Sequence, residues 1–344
     1  MYYYKHYFPT FFTIISLLFV KISCTTEDNN IKTVRVDVVN ALSKFGDGSF
    51  LSLTSGIEVD EPYVYIADGK NDRIVVIDTQ LSFVKSIGKS GSGPGEFNYV
   101  RSPKLFGNYI YAEDAGGGKI NIFNKYGEYI RSVIMKIPIA FSKPFSINKH
   151  GHIIYSSFTS LKPVIVISDS GKVIREFGEY LPDTDGKIYR VRNCRFIFAN
   201  EKNIITLCES LPFIEKYDEE GNLLVRKDLS LKYKKIVERI KQNQMKYKKM
   251  DEESKQRSVF VIFTSAYLKG DFLYAAFLKP EDEKSERQES FFEILKIDIH
   301  DLEVKEIIIP ESKVKEKIWI RNIAKSENAI YLGADEIYKL YYNE

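Results

Sequence analysis

Short apolar runs separated by polar turns dominate the chain beyond its N-terminal segment. The clearest examples occupy residues 63–87 and 109–133, where each stretch contains three strand-like runs of five or six residues. These runs are rich in β-branched and aromatic residues, which favour strands. Recurrence with a period of about 40 to 50 residues is typical of propellers and solenoids. The pattern therefore predicts a repeated unit of short strands.

One position near the centre of each unit identifies six copies of the repeat. These positions are Tyr65, Tyr111, Tyr155, Thr206, Tyr274 and Tyr331. A further strand precedes each of them, so each unit is predicted to be a four-stranded sheet. The last unit stops after its third strand, whereas residues 33–38 form a lone strand at the start. The sequence predicts an all-β, six-bladed β-propeller over residues 33–344, with the N-terminal strand closing the last blade so that no long sheet edge stays exposed.

The N-terminus has the layout of an export signal. Basic residues precede an apolar run over residues 8–20, which is shorter than the roughly 20 residues of a membrane-spanning helix, so residues 1–23 are predicted to be a signal peptide. A serine directly before Cys24 and a polar segment after it resemble a bacterial lipobox. We expect lipidation at Cys24, a tether over residues 24–32, and anchoring at the bacterial outer membrane or cell surface. Lys21 departs from the lipobox pattern, which leaves cleavage without lipidation as the alternative.

A glycine-rich loop at residues 88–97 connects the first two units. Together with the flanking strands it resembles an NHL repeat, and the chain is similar to the six-bladed, TolB-like propellers, which include many bacterial lipoproteins of unassigned function. The resemblance is specific over residues 63–133. It implies that four polar residues tie neighbouring strands together and are structural. These residues are Asp68, Asn71, Arg73 and Glu96.

Charge and histidine content narrow the function classes. Lys and Arg number 50 and Asp and Glu 47, a net charge of +3 that does not indicate nucleic-acid binding. Beyond the signal peptide the histidines are His150, His152 and His300, all in polar turns, so no zinc site is predicted. No cofactor is predicted either, although a calcium site of carboxylates and carbonyls is left open. A non-enzymatic binding scaffold is favoured, and the alternative is a propeller-type, metal-dependent hydrolase or lyase with a metal in its channel.

An arginine column is the strongest binding signal. The residue about ten positions before each central residue opens the innermost strand of its unit and should lie near the mouth of the central channel. These residues are Ser55, Arg101, Phe145, Arg195, Thr264 and Arg321, with Arg192 and Lys143 close by. Converging guanidinium groups would bind an anionic glycan, a peptide or an envelope partner protein. In the alternative interpretation, these arginines pair with nearby acids such as Asp114 or Glu209, or are solvated.

The repeat is interrupted over residues 229–258. Apolar residues recur there at helical spacing, with lysines and arginines on the remaining positions. The apolar stripe consists of Tyr233, Ile236, Val237, Ile240, Tyr247 and Met250. This pattern predicts a basic amphipathic helix on the same face as the arginine column. It could be a lid or docking element, a packed surface helix, or a membrane-surface contact.

Two cysteines remain after Cys24. Cys194 and Cys208 lie on two predicted strands joined by the turn at 200–203, so a hairpin would bring them within reach of each other. Export to an oxidising compartment would permit a disulfide. The alternative is a pair of small buried thiols.

Overall fold

The computed structural model describes residues 31–45, 48–139, 144–280, 292–311 and 320–342. The predicted signal peptide, Cys24, most of the predicted tether and Lys143 lie outside the described residues. The described chain is mostly β-strand, and none of its helices is long and apolar enough to cross a membrane. It begins with β1 (Lys32–Leu42), one residue before the predicted start of the propeller.

Sheets 1 and 2 are the two clearest copies of the repeat. Sheet 1 contains β2 (Thr54–Asp60), β3 (Tyr63–Asp68), β4 (Arg73–Asp78) and β5 (Phe83–Ile87). A short parallel pair, β6 (Lys89–Ser90) and β7 (Glu96–Phe97), forms within the glycine-rich loop. Sheet 2 contains β8 (Val100–Phe106), β9 (Tyr109–Asp114), β10 (Lys119–Asn124) and β11 (Tyr129–Ile134). In both sheets each strand pairs antiparallel with the next, as a repeated hairpin pattern requires.

Sheets 3 and 4 continue the same order. Sheet 3 contains β12 (Ser146–Ile147), β13 (Ile153–Ser156), β14 (Val164–Ile167) and β15 (Val173–Phe177). Sheet 4 contains β16 (Arg195–Ala199), β17 (Ile204–Cys208), β18 (Phe213–Tyr217) and β19 (Leu223–Asp228). Two helices follow, α1 (Lys234–Lys248) and α2 (Glu252–Arg257), where the sequence predicted a helical insertion.

The remaining strands form one eight-stranded sheet, sheet 5. It contains β20 (Phe263–Lys269), β21 (Phe272–Leu278), β22 (Phe292–Asp298), β23 (Glu303–Glu311), β24 (Asn322–Lys325), β25 (Ala329–Gly333) and β26 (Ile337–Tyr341), together with β1. The N-terminal half of β1 pairs parallel with β23, and its C-terminal half pairs antiparallel with β26. The predicted pairing of the N-terminal strand with the last strand is present, whereas the parallel pairing with β23 was not predicted.

The sheets are arranged as a β-propeller around a central channel. The first strand of each sheet contacts the first strand of the next, and β24 contacts both β20 and β2, which closes the ring. Apolar side chains pack between neighbouring sheets, as Tyr65 and Phe97 do between sheets 1 and 2. The propeller prediction is confirmed, but six separate blades are not: the described residues form four separate four-stranded sheets. The reason is that β1 joins the strands of the last two predicted units into a single hydrogen-bonded sheet.

Candidate functional site

A small cavity lies where the innermost strands meet. Its lining includes Gly56, Ser102, Phe196, Tyr267 and Arg321. The cavity has a volume of about 20 Å³, room for about one water molecule. Small-molecule sites have volumes of roughly 300 to 1,000 Å³. Among the described residues, this cavity is therefore too small for a drug-sized ligand.

Three polar side chains from different innermost strands contact one another beside this cavity. Lys104 Nζ donates a hydrogen bond to Glu58 Oε2 at 2.6 Å, and the Tyr267 hydroxyl lies 3.5 Å from Glu58 Oε1. The Lys104 ammonium is also 5.4 Å from the centre of the Tyr267 ring. Burial raises the pKa of the Glu58 carboxyl, and the Lys104 charge opposes that rise. We call Glu58, Lys104 and Tyr267 the channel plug.

The channel plug was not identified from the sequence. Its members lie three positions after Ser55, Arg101 and Thr264 of the aligned column. A strand residue three positions further on lies deeper in the channel and on the opposite face of the strand, unless a bulge intervenes. A register irregularity does occur between Arg101 and Lys104. Shifting the alignment by three positions would have placed Glu58, Lys104 and Tyr267 in one column.

Arg101 and Arg195 are engaged inside the protein. Arg101 Nη2 donates to Glu113 Oε1 at 2.6 Å, and burial raises the pKa of that carboxyl despite the arginine charge. Arg195 has no exposed side-chain surface, and its Nε lies 3.1 Å from Glu215 Oε2. The Arg195 guanidinium also donates to the carbonyl oxygens of Asn193 and Glu179, at 2.9 and 2.6 Å. Both arginines therefore hold strands and loops together.

Arg321 differs because it is partly exposed at the channel mouth. Its Nη1 donates to Asp335 Oδ1 at 2.7 Å, and 38% of its side chain is accessible. The three column arginines each pair with a local carboxylate, those of Glu113, Glu215 and Asp335, instead of converging on one point. The alternative interpretation also expected pairing with local acids. It named Asp114 and Glu209, which are not the partners that the structure shows. Anion binding by the column stays a prediction.

Arg192 attaches the helical insertion to the propeller. It is buried, and its guanidinium donates to the Asp183 carboxylate, to the Ser258 carbonyl at 3.1 Å and to the Lys255 carbonyl at 3.0 Å. The guanidinium carbon also lies within 5 Å of three ring centres. The rings belong to Tyr189, Tyr247 and Phe260. Cation–π contacts of this kind are favourable when desolvated.

Helix α1 is also fixed at its N-terminal end. The Tyr233 hydroxyl donates to the Glu293 carboxylate, which is buried, and Lys235 Nζ lies 2.5 Å from the same carboxylate. Ile236 packs in the apolar cluster beneath the helix, in agreement with the predicted stripe. Arg239 was predicted to be on the polar face, but it is buried and its Nε donates to the Val261 carbonyl at 3.2 Å. The insertion is thus attached at both ends.

The outer face of α1 is strongly basic. The helix contains five lysines and one arginine against a single glutamate. Its outward stripe consists of Lys234, Glu238, Lys241, Met245 and Lys248, all exposed. Lys249, directly after the helix, is exposed as well. Since the inner face is packed, these side chains form a fixed cationic surface, which we call the α1 lysine face.

Cys194 and Cys208 form no disulfide in the structure. Cys208 pairs across the hairpin with Arg195, one residue beyond Cys194, so the two cysteines are out of register. Both are buried, and burial raises the pKa of the Cys208 thiol to about 11. The structure agrees with the alternative of two buried thiols.

The residues implied to be structural by the resemblance do make structural contacts. Asp68 accepts hydrogen bonds from the Ser52 backbone, from Asn71 and from Arg73, which connects the first hairpin to the preceding loop. Glu96 accepts a hydrogen bond from the Gly93 backbone at 2.8 Å inside the glycine-rich loop. Within the described ranges, no group of three or more His, Cys, Asp and Glu residues could hold a metal ion.

Comparisons with known proteins identify the fold. No family model and no curated protein matches the chain. A candidate exported protein from Bacteroides fragilis is 14% identical with a TM-score of 0.54, and 88% of each chain is covered. A catalytically inactive virginiamycin B lyase from Staphylococcus aureus, solved with quinupristin, is 13% identical with a TM-score of 0.52, over 88% of this chain and 98% of the other. A streptogramin B lyase structure is 12% identical with a TM-score of 0.51, over 88% and 97%. At such identities the similarity shows the propeller fold alone.

Proposed function

We propose that this protein is a cell-envelope lipoprotein that acts as a non-enzymatic binding scaffold and binds an anionic partner through the α1 lysine face. The observation that carries the proposal is the contrast between a small cavity among the innermost strands and a firmly attached basic helix. A cavity of about 20 Å³ leaves no room for a ligand of ordinary size. The exposed cations of α1, in contrast, are held in place by Arg192 and Glu293.

Three lysines of this face are suited to bind a partner. Lys241, Lys248 and Lys249 are exposed, and none of them is ion-paired with another described residue. Exposed cations that are not held in ion pairs attract anionic glycans, acidic peptides or acidic protein surfaces. Arg321, partly exposed at the channel mouth, is proposed as a second contact for the same class of partner.

We also propose a sixth blade and a cellular location. The sixth blade of an NHL-type, TolB-like propeller would consist of β24, β25, β26 and the C-terminal half of β1. The register that joins Val38 to Leu340 and Leu42 to Ile337 supports this division of sheet 5. Lipidation at Cys24 would anchor the protein at the outer membrane or cell surface.

Retention on immobilised dextran sulfate tests the binding surface. The test variant carries Lys241→Gln, Lys248→Gln and Lys249→Gln. The matched control carries Lys70→Gln, Lys172→Gln and Lys202→Gln, which are exposed lysines on turns of sheets 1, 3 and 4. We expect the wild type and the control to elute at similar salt concentrations and the test variant to elute much earlier. Equal elution of both variants, or no retention of the wild type, would rule the proposal out.

A further inference from the structure

The described chain enters sheet 5 at a defined corner. β1 and β23 run parallel, and Lys32 lies opposite Glu306. The N-terminal end of β1 therefore lies on the same side of sheet 5 as Glu303, the first residue of β23.

Helix α1 begins at the same corner. Glu303 is bound by Lys227 and by Lys232, whose Nζ lies 3.0 Å from Glu303 Oε2. Lys232 is two residues before the start of α1 at Lys234. Ile31 and Ile240 also pack against the same apolar cluster. The tether and the basic helix therefore share one edge of the molecule.

The tether is too short to let this edge move far from a lipid anchor. Seven peptide units separate Cys24 from Ile31. A fully extended chain spans at most about 3.3 to 3.6 Å per residue, so Cys24 lies within roughly 25 Å of Ile31. With Cys24 lipidated, Ile31 would stay within roughly 25 Å of the bilayer surface, which keeps the edge that it shares with the start of α1 near the membrane.

The exposed surface at this edge combines cations with isolated apolar side chains. Lys32 and Lys232 are 70% and 60% exposed. Leu231 and Met245 are 67% and 59% exposed, and each is followed directly in sequence by an exposed lysine. Lysines attract anionic headgroups, and apolar side chains insert at the boundary of the acyl chains. A soluble polyanion would use the lysines but would leave Leu231 and Met245 in water.

We infer that the anionic partner of the α1 lysine face is the phospholipid headgroup surface of the membrane that holds the protein's own anchor. The inference rests on the proposed function and names the partner of that same surface. In this arrangement the helix orients the propeller on the membrane, and the opposite edge faces away from it. Glu238 is the one carboxylate of the outward stripe and weakens the attraction slightly.

Vesicle co-sedimentation of the mature chain carrying Cys24→Ser tests this without the lipid anchor. We expect binding to phosphatidylcholine vesicles that contain phosphatidylglycerol and none to phosphatidylcholine alone, with binding weakened by salt. The variant with Lys241→Gln, Lys248→Gln and Lys249→Gln should partition on the order of 100-fold less, whereas its matched lysine control should not change.

A second pair of variants separates membrane insertion from general anion binding. Leu231→Ser with Met245→Ser should weaken vesicle binding several-fold and leave retention on dextran sulfate unchanged. The control is Tyr126→Ser with Leu161→Ser, two residues that are 84% and 80% exposed elsewhere, and it should alter neither measurement.

The outcomes distinguish the two proposals. Retention on dextran sulfate without vesicle binding would overturn the membrane inference and leave the proposed function standing. If the wild type neither binds vesicles nor is retained on dextran sulfate, the membrane inference and the proposed function are both overturned. Vesicle binding that is equal in the wild type and the lysine variant would also overturn the inference, because the binding would then involve another surface.

Discussion

Buried arginines in this propeller attach segments of the chain to one another. Arg192 contacts a loop carboxylate, two carbonyl oxygens of the insertion and three aromatic rings. Arg195 and Arg226 both reach Glu215, so one buried carboxylate joins three strands of sheet 4. Arg195 also donates to two loop carbonyl oxygens. A buried charge is tolerated only when it is paired and hydrogen-bonded. These side chains therefore specify how the loop, the sheet and the insertion fit together.

Arg192→Met should destabilise the protein by about 3 kcal/mol, because it leaves Asp183 and two carbonyl oxygens without their cation. Urea denaturation measures the loss, and limited trypsin digestion should cut α1 and α2 sooner. The control is Arg190→Met, an exposed position two residues away, where a loss of no more than about 0.5 kcal/mol is expected. Equal losses at the two positions would contradict the role assigned to Arg192.

Glu215 should make stability fall at acid pH. Burial raises its pKa, but Arg195, Arg226 and Tyr217 outweigh burial, so the pKa of Glu215 lies below its ordinary value of 4.5. A lowered pKa in the folded state contributes stability that is present above the unfolded value and is lost as the pH falls through the folded value. Below pH 4.5 the urea midpoint of the wild type should therefore fall more steeply than that of Glu215→Gln.

The comparison for this pH dependence is Glu220→Gln, which changes an exposed neighbour on a turn. It should follow the wild type throughout the acid range. Parallel acid profiles for the wild type and Glu215→Gln would show that the carboxylate of Glu215 is not the group that titrates.

At the scale of elements, the innermost strands place an ion pair beside the small cavity where they meet. β2 supplies Glu58, β8 supplies Lys104 and β20 supplies Tyr267, so the plug connects three strands that are distant in sequence. Removing one partner of a buried ion pair leaves an uncompensated charge, whereas replacing both with apolar residues is often close to neutral. The plug thus couples sheets 1, 2 and 5.

A double-mutant cycle tests the plug. Glu58→Leu and Lys104→Met should each cost roughly 2 to 3 kcal/mol, and the double variant should be within about 1 kcal/mol of the wild type. Urea unfolding of the four proteins gives the coupling energy. Losses that simply add in the double variant would mean that the two side chains act independently.

The sequence predicted most elements and few of their contacts. Strand periodicity and turn residues are local signals, so the propeller and the helix at Lys234–Lys248 could be anticipated. The parallel pairing of β1 with β23 could not, because it depends on which sheet edge is open after folding. Arg101 and Arg195 lie at the start of β8 and β16, and Arg321 directly precedes β24. Whether Arg195 faces a ligand or Glu215 depends on residues far along the chain.

For the whole molecule, the proposed binding surface lies on the outside of the ring. The described cavity among the innermost strands is small, and the one helical insertion among the described residues is basic, exposed and attached at both ends. A net charge of only +3 means that the attraction is local to this edge and not a property of the entire surface.

Hydrogen–deuterium exchange of the wild-type protein with and without dextran sulfate tests this central claim most directly. We expect dextran sulfate to slow exchange over residues 229–258 and to leave exchange in the innermost strands unchanged. Protection confined to the channel mouth, around Gly56, Ser102 and Arg321, with no change in the insertion, would contradict it.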